Sequence, residues 1–433
     1  MDPLRLLLMV LPTVATAQWT WTAVAPLPLP TANHAVCAAA VNGSWQVYVF
    51  GGITTGLSEA DIHRHAFRYD VDADAWSALP DIPDTLGKIA AAASVVGDTA
   101  YVIGGYHVFP GAPYERSSDR VHRLDLSTGT WMADGAPVPV PIDDHVQAVW
   151  RDSLIYVVTG WSNSANAAQV QVYDPAHDAW AAATPVPNTN LFKAFGASGV
   201  IIGDTLIYHG GAAMGGSFPA QDRVRIGLID PLDPLTITWQ PAVTGGQGPR
   251  YRSGAVVTGA RANWIGGSAV SYNYDAVAYN GSGVVAPVLP VLQWDGTVHT
   301  MVGTAPTAVM DLRGVGDIGG GRFVVAGGIG AQQVVLDSVW LVLTGEVGMH
   351  EVSEEDLFAA PNPTSGECVI GLPQAVTSAR YTVRDAWGRQ VMTGAVTGVE
   401  LRLDLSDLVA GVYFLHLPLV QGAAGWRTAL VRE

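Results

Sequence analysis

The stretch GKIAAAASVVGDTAYVIGG, residues 87–105, holds the pattern that decides the fold: two apolar runs joined by a turn and closed by two glycines. The glycine pair recurs after aromatic or β-branched runs at Gly51-Gly52, Gly104-Gly105, Gly210-Gly211, Gly266-Gly267 and Gly327-Gly328. Thr159-Gly160 is a degenerate sixth copy, and the copies lie 51 to 61 residues apart. Such a period predicts an array of similar supersecondary units.

A second signature follows the glycines. An Asp precedes a Trp by six residues in the first three copies, as in Asp70 and Trp76, Asp125 and Trp131, and Asp174 and Trp180. The fourth copy has Asp230 and Trp239, and the fifth has Met301 six residues after Asp295. Each unit is therefore predicted to hold four short strands. We assign the glycines and tryptophans to packing between units, not to chemistry.

The last copy has no Trp strand of its own, but WTWTAVAPLPLP at Trp19–Pro30 supplies one at the other end of the chain. Pairing of this segment with the last copy would close a ring and remove exposed sheet edges. Together these features resemble kelch repeats. The resemblance implies an all-β, six-bladed kelch β-propeller over residues 19–344, closed by an N-terminal strand.

The composition and hydrophobic pattern of the sequence change after Gly345. Residues 345–358 are acidic and predict a linker, and residues 359–433 alternate with period two, as in a small antiparallel β-sandwich. This segment resembles the type A C-terminal sorting domain of the type IX secretion system; an ordinary adhesive sandwich is the alternative. The matching residues are Pro361-Asn362-Pro363, Asp385, Gly388-Arg389, Leu405-Ser406, Leu408, Gly411-Val412-Tyr413-Phe414 and Arg427.

The N-terminus supports export. Residues 1–17 read as a signal peptide that ends in Ala15-Thr16-Ala17, and no segment is long and apolar enough for a transmembrane helix. We expect a secreted or outer-membrane surface protein whose partner is the type IX secretion machinery. The sequence leaves open whether the mature protein is released or anchored.

Charge and cysteine content narrow the function further. A net charge of −16 excludes nucleic acid as a partner, because a duplex binder needs a basic footprint. Cys37 and Cys368 lie in different predicted domains, so we expect two buried free thiols and no disulfide.

A basic residue or histidine stands near the head of each inner strand. The six residues are His34, Lys88, His145, Lys193, Arg252 and Arg313, and they include both lysines of the chain. If symmetry gathers them at one mouth of the channel, they predict a site for an anionic glycan or acidic peptide. The alternative is architectural, with each side chain bonding carbonyls of a neighbouring strand.

The sequence indicates no metal and no cofactor. His63-Arg64-His65 has no third ligand at a recognisable spacing. An enzyme is the alternative to a binding module, because some exported kelch propellers resemble sialic acid mutarotases; His34 or His145 with Asp144 or Asp311 would then be the acid–base candidates.

A third hypothesis is a scaffold for protein partners. It would use the long loops His107–Asp119 and Ser268–Pro287. Strand direction suggests that these loops leave from the face opposite the strand heads or from its rim, and the sequence does not decide between the two.

Deletion of residues 359–433 tests the sorting assignment. We expect the shortened chain to fail to reach the cell surface, because the recognition domain is gone. Fractionation followed by surface labelling measures this. Normal delivery of the shortened chain would leave the adhesive sandwich as the better interpretation.

Overall fold

The computed structural model describes residues 19–344 and 358–433, apart from 386–388 and 418–425. The chain divides into two compact units, Met1–Val347 and Gly348–Glu433. The predicted signal peptide (1–17) lies outside the described residues, as does the predicted linker (345–358) except for residue 358.

The first unit is a propeller of six antiparallel sheets, or blades. Strand β1 (Thr20–Val24) belongs to blade six. Blade one consists of β2 (Ala35–Val41), β3 (Ser44–Ile53), β4 (Ile62–Asp70) and β5 (Ala75–Leu79). Blade two consists of β6 (Ile89–Val96), β7 (Thr99–Val108), β8 (Glu115–Ser117), β9 (Val121–Asp125) and β10 (Thr130–Trp131). Blade three consists of β11 (Val146–Trp150), β12 (Leu154–Val158), β15 (Val170–Asp174) and β16 (Ala179–Ala183), and the small hairpin of β13 (Trp161–Ser162) and β14 (Ala165–Asn166) lies between β12 and β15.

Blades four to six follow the same plan. Their strands are β17 (Phe195–Ile202), β18 (Thr205–Ala212), β19 (Arg223–Ile229), β20 (Ile237–Trp239) and β21 (Val243–Thr244); β22 (Gly254–Thr258), β23 (Arg261–Ile265), β24 (Pro290–Trp294) and β25 (His299–Thr304); and β26 (Gly316–Asp317), β27 (Arg322–Ala326) and β28 (Val339–Leu343). Two 3₁₀ turns, Glu59–Asp61 and Ala331–Gln333, lie between strands.

The ring closes as the sequence predicts. Strand β1 pairs antiparallel with β28, from Thr20 opposite Leu343 to Val24 opposite Val339. The N-terminal segment is thus the outermost strand of blade six. The all-β, six-bladed fold is confirmed, and the Trp strand missing from the last copy is supplied by the first residues of the propeller.

Asp and Trp form a latch between blades. Asp70 Oδ1 accepts hydrogen bonds from the backbone N–H groups of the turn between β4 and β5, at 2.9 Å from Ala73 N. Trp76 Nε1 then donates to Ala25 O in the segment before the blade, at 2.9 Å. Trp131 and Trp180 make the equivalent bonds, each at 2.8 Å, to Pro80 O and Ala136 O. The spacing of six residues therefore reflects one turn and one inter-blade hydrogen bond.

The glycine pairs seal the same boundaries from the inside. Gly210 has a φ of +74°, and a Cβ atom there would collide with the backbone carbonyl of Arg250 in the next blade. Gly211 N donates to that carbonyl at 2.7 Å. Only glycine combines this backbone angle with this approach, so the pair is a packing device.

At one mouth of the channel, backbone hydrogen bonds run from blade to blade. The donor–acceptor pairs are Asn33 N to Asp311 O, Ala90 N to Asn33 O, Asp144 N to Ala90 O, Gly196 N to Asp144 O, Arg252 N to Gly196 O and Leu312 N to Arg252 O. The residues Asn33, Ala90, Asp144, Gly196, Arg252 and Asp311 all have φ between +48° and +66°. We call these six residues the mouth ring.

The second unit is a five-stranded antiparallel sheet. Its strands are β29 (Phe358–Ala360), β30 (Glu367–Asp385), β31 (Gln390–Asp404), β32 (Gly411–Leu417) and β33 (Trp426–Arg432). Register shifts interrupt the long β30–β31 pairing. Residues from both halves of β30, such as Ile370 and Val383, share one core, so the sheet curls over itself.

Two further expectations concern single features of the chain. Cys37 and Cys368 are buried and free, as predicted. Within the described ranges, no helix has the length and apolar character needed to cross a membrane.

Candidate functional site

The six basic heads do not share one structural position. Relative to the mouth ring, His34 and His145 follow by one residue, Arg252 is a ring member, and Arg313 follows Asp311 by two. Lys88 precedes Ala90 by two, and Lys193 precedes Gly196 by three. Successive side chains of an extended chain point in opposite directions, so these different offsets direct the six side chains to different surroundings.

Lys88 is buried between blades one and two. Its Nζ lies 2.7 Å from Asp84 Oδ2 and 2.9 Å from His122 Nε2. Burial lowers the pKa of Lys88, against the attraction of Asp84. His107 Nε2 and His122 Nε2 also lie close to Asp84 Oδ2, at 3.3 and 3.2 Å. Burial alone would raise the pKa of Asp84, but the two histidines and Lys88 together hold it well below its ordinary value. The ammonium group of Lys88 is thus bound to buried side chains of the protein, which favours the architectural alternative for this residue.

Lys193 is half-buried, and no ion pair of its ammonium group is found within the described part of the chain. Its backbone carbonyl accepts a hydrogen bond from Asn166 Nδ2 at 3.4 Å. The two lysines therefore play different roles, although both stand at the head of an apolar run.

Arg252 is the centre of a buried charge network. Its Nε and Nη2 donate to the two oxygens of Asp144, at 3.1 and 2.6 Å, and Nη1 donates to Asp311 Oδ1 at 3.0 Å. The rings of Tyr251 and Tyr272 lie 5.1 and 5.5 Å from the guanidinium carbon. A bidentate pair inside a protein is strong only when its remaining groups are also satisfied.

His145 and Arg313 join this network from the channel side. Arg313 Nη1 lies 3.4 Å from Asp144 Oδ1, and Nη2 donates to the carbonyl of His145 at 2.7 Å. Both residues line a cavity of about 400 Å³ between the inner strands, together with Gln147 and Ser253. His145, Arg252 and Arg313 are therefore brought together around Asp144, whereas Lys88 does not line this cavity.

A smaller cavity of about 160 Å³ lies on the other side of Arg252, and we call it the mouth cavity. Its apolar wall consists of Tyr106, Trp161, Phe195, Phe218 and Tyr279, and its polar groups belong to Glu115, Asp143, Asp144, Arg252 and Asn273.

The aromatic side chains of the mouth cavity hold one another edge to face. Phe218 lies 5.6 Å from Trp161 and 5.1 Å from Tyr279 between ring centroids. Phe218 also has a left-handed φ of 45°, which is a strained conformation for an aromatic residue. The loop thus holds this ring over the cavity at a cost in backbone energy.

The long loops cover this mouth. Residues Glu115, Asn273 and Tyr279, which come from the loops that follow β7 and β23, line the mouth cavity. The sequence left open whether these loops leave from the opposite face or from its rim. In the structure they lie at the mouth where the inner strands begin, because the second strand of an antiparallel hairpin ends beside the start of the first. Loop side chains and ring residues therefore form one site.

Burial perturbs the carboxyl groups at the mouth. Burial and the adjacent Asp144 raise the pKa of Asp143 well above its ordinary value, and Ser117 Oγ donates to Asp143 Oδ2 at 2.6 Å. Burial also raises the pKa of Asp311 to about 6, against the attraction of Arg252. Both carboxyl groups therefore hold a proton more strongly than an exposed aspartate does.

Burial has the opposite effect on the pKa of the two histidines predicted for the site. Burial lowers the pKa of His34 and of His145 to about 4. Both imidazoles are therefore uncharged near neutral pH and add no positive charge to the mouth.

Several residues of the mouth cavity were not singled out as site residues from the sequence: Glu115, Asp143, Trp161, Phe218 and Tyr279. Glu115 and Tyr279 lie within the two long loops, so loop length was a usable signal for them. Trp161, which directly follows the degenerate Thr159-Gly160 pair, differs from the residue at that position in the other copies. Nothing in the local sequence marks Phe218.

Comparisons with known proteins agree with the fold. The profile of the KLHDC2/KLHL20/DRC7 Kelch-repeats domain matches residues 7–211, and that of the secretion system C-terminal sorting domain matches residues 359–423. Kelch-like protein terF of Aspergillus terreus is 31% identical over 151 residues, which are 32% of this chain and 31% of that protein. The match therefore spans about a third of that relative.

A solved structure, described as the structure of YjhT, superimposes with a TM-score of 0.59 at 15% identity. The match covers 74% of this chain and 97% of that one. At this identity the likeness shows the fold alone. The chain is thus a kelch-repeat β-propeller followed by a type IX C-terminal sorting domain, and it is a secreted or cell-surface protein.

Replacement of His34 by Gln should flatten the dependence of stability on pH. Because the folded pKa lies near 4 and the ordinary value is 6.5, His34 contributes stability above pH 6.5 that is lost as the pH falls towards 4. The slope of unfolding free energy against pH should decrease by up to about 1.4 kcal/mol per pH unit between these limits. The raised pKa values of Asp143 and Asp311 make stability fall as the pH rises, but they do so in the wild type and in the variant alike. The difference in slope between the two proteins therefore reports His34 alone.

Urea unfolding at several pH values between 4.5 and 7.5 measures this slope. His177→Gln is the control, because the side chain of His177 is 78% exposed. Equal slopes for the wild type and His34→Gln would contradict the assignment.

Proposed function

We propose that this exported propeller is a binding module that takes one sugar ring of a glycan into the mouth cavity. The observation that carries the proposal is the combination, in one cavity, of an aromatic wall with a few polar groups around Arg252. Ligand pockets typically join apolar walls to a small number of oriented polar groups.

The aromatic wall supplies most of the binding energy. A pyranose ring has an apolar face of C–H bonds, which packs well against a flat aromatic surface. Trp161 and Phe218 are only partly buried, so both rings retain surface that a ligand can cover. The cavity is smaller than the roughly 300–1,000 Å³ of drug-sized ligands, which suits one ring of a longer chain.

The polar groups set the chemistry of the ligand. Asp144 occupies two donor groups of Arg252 and Asp311 occupies a third. The other two of the five guanidinium N–H groups have no hydrogen bond to the described part of the chain and can donate to a ligand oxygen. The carboxyl groups of Asp143 and the exposed Glu115 add oxygen atoms that suit hydroxyl groups.

The charge balance favours an uncharged sugar. Arg252 and Arg313 face Asp144 and Asp311, and Glu115 adds further negative charge at the rim. A site whose arginines are paired with carboxylates attracts anions less strongly than the predicted ring of six basic or histidine side chains would. The anionic glycan or acidic peptide predicted from His34, Lys88, His145, Lys193, Arg252 and Arg313 stays a prediction, and it is one arm of the experiment below.

Glycan-array binding by the full chain tests the proposal. The array should contain neutral, sialylated and uronic-acid glycans. We expect binding to neutral glycans, and Trp161→Leu should weaken it at least about tenfold, because a stacking surface worth about 1.4 kcal/mol or more is lost.

Tyr114→Leu is the matched control, because Tyr114 is 64% exposed on the loop after β7 and does not line the mouth cavity. Thermal unfolding confirms that both variants are folded. Failure to bind any glycan, or equal binding by Trp161→Leu, would refute the proposal. Binding only to acidic glycans or acidic peptides would instead support the ligand predicted from the sequence.

A sugar mutarotase is the second candidate. The observation in its favour is that two carboxyl groups with raised pKa, Asp143 and Asp311, flank the same buried arginine region. Perturbed acids in a cavity are frequent at catalytic sites. Of the acid–base candidates named from sequence, only Asp144 lines the mouth cavity.

Anomer exchange of sialic acid, measured by NMR, decides this point. A mutarotase should accelerate exchange, and Asp143→Asn should remove the acceleration because it removes a carboxyl group that can transfer a proton. Exchange at the uncatalysed rate in the presence of wild-type protein would eliminate a sialic acid mutarotase and leave the binding module.

A further inference from the structure

His209, Asp222 and His299 converge at the boundary between blades four and five, away from the mouth cavity. One ligand atom from each lies within 4.8 Å of the other two. His209 is in β18, Asp222 directly precedes β19, and His299 is the first residue of β25. Two imidazoles and one carboxylate are a donor set typical of divalent first-row metals.

The histidines are buried without complete hydrogen bonding. His209 and His299 are 0% and 1% exposed. Among the residues that the structure describes, neither ring nitrogen of His299 has a hydrogen-bond partner, and Nδ1 of His209 has none either. Buried polar atoms without partners are uncommon and cost about 1–3 kcal/mol each. A metal ion would satisfy one of the two nitrogens of His299.

The carboxylate is positioned by backbone groups. Asp222 Oδ2 accepts hydrogen bonds from Gly246 N at 2.9 Å and Gly248 N at 3.2 Å. Its other oxygen, Oδ1, lies 3.2 Å from His209 Nε2. One oxygen is thus held by the protein while the other faces the histidines, which is the usual division for a metal-binding carboxylate.

Space for an ion is kept clear by Gly245. A Cβ atom on this residue would collide with both His299 Nδ1 and Asp222 Oδ1. The backbone angle of Gly245 does not itself require glycine, so the missing side chain matters for room and not for conformation. The two ligand atoms therefore face one small volume beside the backbone.

Aromatic packing fixes the two imidazole rings. Trp264 packs against both rings, at 5.3 Å from His209 and 5.1 Å from His299 between centroids, and the two imidazoles lie 4.3 Å apart. The carboxylate of Asp222 balances the nearby positive charge of Arg250.

A path to solvent exists. The side chain of Asp222 is 16% exposed, and it lines a surface cavity of about 360 Å³ with Gln221, Arg223 and Thr244. An ion can reach the cluster by this route, and a water molecule can complete its coordination.

We propose that His209, Asp222 and His299 bind one Zn²⁺ ion that joins blades four and five. Ligand atoms at about 2.0–2.2 Å from zinc stand about 3.3–3.6 Å apart in a tetrahedron, so only small side-chain rotations are needed. The ion links strands from two neighbouring blades and stabilises the propeller by its binding energy.

Zinc binding by the full chain, first treated with a chelator and then dialysed against Zn²⁺, tests the site. We expect one equivalent per wild-type chain and a rise in melting temperature on zinc addition. His299→Gln and Asp222→Asn should weaken binding at least about tenfold, because each removes a ligand. Gly245→Ala should do the same, because the methyl group fills the ion's place.

His177→Gln is the matched control. His177 also pairs with an aspartate, at 2.7 Å from Asp174 Oδ2, but its side chain is 78% exposed. This variant should bind zinc like the wild type. Absence of zinc binding by the wild type overturns the proposal. Undiminished binding by His299→Gln, Asp222→Asn and Gly245→Ala also overturns it, since the zinc would then be elsewhere. If one variant fails to fold, the other two decide.

Discussion

The mouth ring is the constraint on which the rest of the propeller depends. Each blade donates one backbone hydrogen bond to its neighbour from a residue at or beside a left-handed position, and the bonds pass through all six blades. Such backbone angles are unfavourable for Ala90, Arg252 and Asp311, so the surrounding packing must hold them in place. Glycine pairs and Trp latches supply that packing on either side of the ring.

The same constraint explains why buried charges meet at the mouth. Ring residues are fixed by backbone bonds, so the side chains of Asp144, Arg252 and Asp311 have few alternative directions. Arg252 therefore lies between two carboxylates instead of in solvent. Breaking such a buried pair leaves a charge without a partner and is costly. Architecture and ligand recognition are thus linked in Arg252, which holds the mouth together and also lines the mouth cavity.

The sequence predicted the fold well but the site only in outline. Six glycine copies and their Asp–Trp offset identified the blades, because these residues are dictated by local turns and by one repeated contact. The ring register was missed because the spacing from ring residue to glycine pair varies from 14 residues at Ala90 to 18 at Asn33. An alignment by residue type placed Lys88 and Lys193 at one position, but Lys88 lies two residues before its mouth-ring residue and Lys193 lies three before its own. A difference of one residue turns a side chain to the other face of a strand.

The sequence by itself determined six similar blades, closure by Trp19–Pro30, an exported chain and a C-terminal sorting domain. These properties rest on local patterns, which repeat within the chain or occur in order at its end. Only the tertiary structure decided that Lys88 pairs with Asp84, that Arg252 meets Asp144 across 108 residues, and that His209 and His299 lie side by side. Such contacts depend on the rotation of one blade against the next, and no spacing in the sequence encodes that rotation.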